Sequence, residues 1–149
     1  MLSTPSLRRA SLLGLGAACL LSVSSPAEAT TANAKEAASK VFQRFQELGL
    51  SVNANYQLGL LPLRGEEIFD TQLYKGKQYV LVGAGCSDAR DVDLLIYDEQ
   101  GRLLARDTEH DPVPVLQFEA PYTGTYYMRV VMYDSTPDGA HWVMQTGYL

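Results

Sequence analysis

Five carboxylates, Asp88, Asp91, Asp93, Asp107 and Glu109, stand where two β-rich runs of this chain begin and end. Between the runs lies Glu99-Gln100-Gly101, the composition of a three-residue hairpin loop with Gly101 in the left-handed position. That loop would set Asp98 opposite Arg102, Asp93 opposite Asp107 and Asp91 opposite Glu109. Two successive like-charge pairs on one face of a hairpin are destabilising. Water must screen them, pairing must stop short of them, or a cation must lie between them. Hard oxygen donors in a flexible loop suit Ca²⁺ better than a transition metal. Asp88 and the carbonyls of residues 85–90 would complete such a shell. A plainer reading stands beside this one: the acids solubilise the open end of a sheet, and a two-residue loop would remove the pairing altogether. The chain contains no regular EF-hand loop.

Other reactive groups are few. His110 and His141 are the only histidines. A small hydrolase or lyase would use His110 with Asp107 or Asp111, which requires a pocket holding these groups within hydrogen-bond reach. No serine occupies a Gly-x-Ser-x-Gly elbow, so His110 is expected on a solvated loop and the chain is read as non-catalytic. Tyr127, Arg129 and Tyr133 share one face of a long apolar run, with Tyr126, Met128, Val130 and Met132 on the other. The Met/Val face belongs to a core. The Tyr/Arg face is either a binding surface, since aromatics and Arg are favoured at interfaces, or a surface covered by another element.

These groups must be positioned by sheets. From Glu66 onward the runs are short, β-rich and closed by Gly, Pro or Asp turns. Strands are predicted at Ile68–Leu73, Gln78–Gly83, Val92–Tyr97, Leu103–Arg106, Val115–Glu119, Thr125–Tyr133 and Trp142–Thr146. Seven strands at this spacing predict an antiparallel β-sandwich. Upstream, Ala34, Ala37, Ala38, Val41, Phe42, Phe45 and Leu48 recur at helical steps, predicting one amphipathic N-terminal helix with Asn33 as cap and Gly49 as stop. Asn53 to Gly65 reads as a connector whose leucines tuck under that helix, or as a short edge strand, because Pro62 argues against a central one.

The first 29 residues have the form of an export signal. Arg8 and Arg9 precede the apolar run Ser11 to Val23, and Ala27-Glu28-Ala29 supplies a small-x-small cleavage site. The run is too short for a bilayer span. Cys19 offers the alternative of a lipidated N-terminus, although Gly16 stands where such signals carry Leu. Processing would remove Arg8, Arg9 and Glu28 from twelve basic and seventeen acidic residues, leaving a net charge of −6. With no basic run, a nucleic-acid partner is excluded. The processed chain keeps one cysteine, Cys86, expected to be either buried and inert or available to bridge two copies. A periplasmic or secreted location follows, with segments 1–29 (signal), 30–65 (helix and connector) and 66–149 (sandwich).

The order of a strand ending in YVLVGAG, an Asp-x-Asp-Leu strand, a Gly turn, LLARD, and a Pro-x-x-Gly-Thr-Tyr-Tyr-x-Arg-Val strand resembles the bacterial prepeptidase C-terminal (PPC) domain. The resemblance covers roughly Glu66 to Tyr148. It implies a jelly-roll-like β-sandwich that accompanies secreted enzymes in export, solubility or substrate attachment, with calcium bound in some members. The module is expected to stand alone, without the catalytic domain that usually precedes it. The expectation is therefore a secreted accessory or binding module whose partner is a protein or a cell-envelope polymer.

Overall fold

The computed structural model describes residues 26–149 except Ala54; of residues 26–30 only their helical backbone is described. The expected signal run and Cys19 lie outside the described residues. Helix α1 spans Pro26–Gln46. Its first described residue is a proline, a residue suited to an opening helical turn because its missing N–H would have no partner there. Asn33 consequently lies inside the helix and does not cap it. The C-terminal end is as expected. Gly49 takes φ +94°, the Leu50 N–H reaches the Phe45 carbonyl at 3.1 Å, and the Gly49 N–H reaches that of Gln46 at 3.0 Å. This paired 6→1 and 5→2 closure turns Leu50 back onto the helix.

Nine strands are present among the described residues: β1 (Ser51–Val52), β2 (Gln57–Leu61), β3 (Glu66–Leu73), β4 (Gln78–Gly85), β5 (Ala89–Tyr97), β6 (Leu103–Asp107), β7 (Val115–Glu119), β8 (Gly124–Ser135) and β9 (Ala140–Tyr148). They form two antiparallel sheets. One has the order β1-β9-β4-β7, with β2 also paired to β9; the other has the order β3-β8-β5-β6. The protein is thus mainly β, with a sandwich-like arrangement and one N-terminal helix. The seven strands expected after Glu66 are all present. Two more precede them, β1 just before the connector and β2 within it, so segment 30–65 supplies an edge of the first sheet. The connector's leucines divide between faces: Leu61 is buried on the face β2 shares with Trp142, while Leu58 and Leu60 pair with Val143 and His141 on the face toward α1 and stay exposed, as does Leu63, because β2 runs along the sheet's margin.

The two sheets differ in what covers them. In β4, Tyr79 through Val82 and Ala84 are buried, and in β9 Trp142 through Gln145 are buried in succession. Uninterrupted burial means that both faces of these strands are covered. Register settles the layers: Val80, Val82 and Ala84 pair with Gly147, Gln145 and Val143 on the face toward α1. Ala34, Ala38 and Phe42 supply the helix side of that contact and are themselves buried. A Cβ at Gly147 would come within 2.6 Å of Leu50 and 3.1 Å of Phe42, so the helix approaches this closely only over glycine. The opposite face of β9 carries Trp142, which stacks on Phe69 of β3 at 6.3 Å with a 13° interplanar angle. That pair joins the sheets.

Candidate functional site

The carboxylates expected to gather at one end of the hairpin are placed differently from the sequence register. The turn forms as expected: Asp98 N–H donates to the Arg102 carbonyl at 3.0 Å, and Gly101 has φ +75°. Tyr97 pairs with Leu103, but Ile96 then pairs with Ala105, Leu95 with Arg106 and Leu94 with Asp107. A β-bulge at Leu104 has inserted one residue on β6. It brings Leu104 and Ala105, adjacent in sequence, both against the core, which strict alternation forbids. Asp107 therefore faces Leu94 instead of Asp93. Asp91 faces Asp134 of β8, not Glu109, and β6 ends before Glu109 is reached.

Each acid then has its own role. Asp107 accepts the Glu109 N–H at 3.1 Å and, through its other oxygen, the Val115 N–H at 2.8 Å. It ties the end of β6 to the start of β7, across the two sheets. The Asp88 backbone carbonyl accepts the Thr136 N–H. Asp91, only 3% exposed, bonds through Oδ2 to His110 Nδ1 at 2.6 Å. Its Oδ1 is buried and has no partner among the described residues. Asp93 lies beside this pair, and its carboxyl is raised above its usual range by partial burial first, then by the charges of Asp91 and Asp107, with Arg129 opposing. Among the described residues, no group of three or more His, Cys, Asp or Glu side chains is arranged to hold a metal ion.

His110 is thus oriented by Asp91, a residue 19 positions upstream, and not by Asp107 or Asp111. Asp111 uses its side chain on the Val113 N–H at 2.7 Å. The imidazole is 77% exposed and lies on a loop. That loop is itself pinned to β4 and β5, through Gly83 to Pro114, Gly85 to Pro112 and Val92 to Asp111. Cys86 is buried and free among the described residues, a setting that suits an inert thiol.

The Tyr127, Arg129 and Tyr133 face is on the outer surface of the second sheet, which α1 does not cover. Arg129 is occupied there. It makes two bonds to Glu66 Oε2, one of 2.9 Å through Nε and a second through Nη2, and a third to the Tyr97 hydroxyl at 3.4 Å. The Arg64 guanidinium stacks over Tyr133 at 4.0 Å. The aromatic face forms as read, but its cations are already matched within the chain.

A further concavity carries no signal in the sequence. A cleft of about 570 Å³ opens along the side of the sandwich, where the β3 edge of one sheet faces the β1–β2 edge of the other. Phe69, Met128 and Met144 form its floor, while Asn55, Gln57, Asp70 and Thr71 line its rim. Tyr74 and Tyr148 flank the mouth, and Lys77 lies between them, 5.8 Å and 4.3 Å from their ring centres. Beneath, the Tyr74 N–H donates to the Tyr79 hydroxyl oxygen at 2.9 Å, which fixes the turn carrying Tyr74 and Lys77. The cleft draws on residues from 52 to 148, with no local motif to betray it.

These observations define a helix-backed antiparallel β-sandwich with an open lateral cleft. No family model matches the chain, and no curated protein is significantly similar to it.

Proposed function

We propose that this chain is a secreted or periplasmic, non-catalytic binding module whose ligand site is the lateral cleft. One observation carries the reading: the cleft combines an apolar floor with polar side chains at its rim, and its size falls within the roughly 300–1,000 Å³ of small-molecule sites. The acidic end has a smaller concavity of about 350 Å³, lined by Asp91, Asp93, Thr108, His110 and Tyr133, but it has no aliphatic floor, its histidine is mostly exposed, and Asp107 and Asp111 are consumed by backbone N–H groups. The order β2-β9-β4-β7 facing β3-β8-β5-β6, with successive strands mostly changing sheet, supports a jelly-roll-like reading of the sandwich. It is also compatible with PPC-like kinship. The export reading rests on residues 1–29 of the sequence.

The test is a thermal-shift screen of the full chain against saccharides, peptides and divalent cations. A ligand that raises Tm in the wild type and not in Asp70→Ala supports the cleft. Ligands whose effect follows His110 or Arg129 instead would move the site to the acidic end or to the outer sheet.

A further inference from the structure

We infer that the cleft takes a neutral saccharide unit; this inference rests on the cleft being the ligand site. A sugar ring presents hydroxyls around its rim and C–H groups on its faces, so its site needs hydrogen-bonding groups encircling an apolar surface. This cleft has both. Asn55, Gln57, Asp70 and Thr71 line it: register puts Gln57 and Thr71 on the inner face, opposite Met144 and Tyr126, and Asp70 on the β3 edge opposite Tyr127, and their side chains make no hydrogen bond to any described residue. They offer amide donors, carbonyl and carboxylate acceptors and a hydroxyl. Below them Phe69 is held flat by its stack on Trp142, giving a rigid floor.

The mouth adds aromatic area. Tyr74 and Tyr148 are 57% and 39% exposed, and the shared Lys77 ammonium restricts both rings before anything binds. Large amphipathic rings with little freedom to lose are efficient contact surfaces. Charge gives no advantage to the competitors. Asp70 and Lys77 both line the cleft and offset one another, so the site has no net charge to draw in an anion or a cation over a neutral ligand. A peptide adding to the β3 edge would meet Glu66, Glu67 and Asp70, and charged edges of this kind discourage strand addition. The open cleft admits either a free oligosaccharide or one unit of a polymer.

The experiment uses the full chain with cellohexaose and chitohexaose, followed by calorimetry and by the fluorescence of Trp142 under the floor, and then partition onto insoluble cellulose and chitin. Tyr148→Ala and Asp70→Ala are each expected to weaken hexaose binding at least about tenfold, while His110→Ala leaves it unchanged. Asp70 is exposed and makes no internal hydrogen bond, so its variant tests the site even if Tyr148→Ala unfolds. Soluble hexaose binding assigns the site to free oligosaccharides, and retention on the solids alone assigns it to polymer surfaces; both support the inference. Saccharide binding unaltered in both variants overturns it. A neutral Gly-Ser-Thr peptide that binds in a Tyr148-dependent way, with no saccharide binding, overturns the saccharide and leaves the cleft standing. Silence from saccharides and peptide alike overturns both.

Discussion

The two ends of strand β5 carry aspartates in opposite circumstances. At its C-terminal end Asp98 is fully buried and fully used. Oδ1 accepts the Gln100 and Arg102 N–H groups at 2.9 and 2.8 Å, and Oδ2 accepts Arg102 Nε at 2.6 Å. At the other end Asp91 is as buried but has one oxygen unused, and Asp93 bears the charge of two neighbouring acids. The same residue type thus anchors one end of the strand and strains the other. Burial of a charge is tolerated in proportion to the hydrogen bonds it receives.

The largest expected effect is at the satisfied end. Asp98→Ala leaves the Gln100 and Arg102 N–H groups without their acceptor and removes the turn's closure, so Tm should fall by roughly 10 °C. The pH dependence has a definite sign. Burial alone would raise the Asp98 carboxyl, but the bonds from Arg102 and Gln100 prevail and hold it below its ordinary value of 3.8. Its contribution is present above that value and lost as pH falls below it. Urea unfolding at pH 3 and pH 7 should show the wild type losing more than Asp98→Asn on acidification.

At the strained end the next effect is that of His110. His110→Ala strips Asp91 of its one side-chain partner and should cost about 1–2 kcal/mol. Combined with Asp91→Asn, the loss should be smaller than the sum of the singles, because the buried charge is gone. Strict additivity would mean that the 2.6 Å contact contributes nothing.

Asp93 carries the opposite sign. Its raised carboxyl disfavours the charged form in the fold, so wild-type stability declines as pH rises through the ordinary carboxylate range and onward to the raised value. Asp93→Asn should therefore be more stable than wild type at pH 7, by less than about 1 kcal/mol given water's screening. The two should converge near pH 3. A variant that is less stable at pH 7 would show that the Asp93 charge is held by attraction after all.

The strands and the turn were legible because they depend on local pattern: alternating apolar residues, Glu99-Gln100-Gly101, and Gly49 after an apolar stripe. The bulge at Leu104 was not. It arises because two neighbouring side chains, Leu104 and Ala105, both find space against a core built from distant strands. One inserted residue then undid the whole charge register inferred from the turn. The Asp91–His110 contact and the cleft are likewise products of topology. The first joins residues 19 apart, and the second is lined from residues 52 to 148. No spacing rule reaches across such separations.

Calcium is the smallest expected effect, and it separates register from chemistry. A cation between the strands needs Asp93 and Asp107 face to face with free oxygens. The bulge removes the pairing, the Glu109 and Val115 N–H groups take both Asp107 oxygens, and His110 takes one of Asp91. What remains, Asp93, a buried oxygen of Asp91 and the side chains of Asp88 and Glu109, is not gathered into one metal-holding group among the described residues, and so falls short of the six to eight oxygen ligands that Ca²⁺ takes. Millimolar calcium should thus shift the wild-type Tm by less than about 1 °C, since only a ligand selective for the folded state stabilises it. A rise of several degrees, abolished by Asp93→Asn, would mean that the loop from Thr108 to Pro114 rearranges to free Asp107. The strain at this end of β5 would then be the cost of keeping a cation site open.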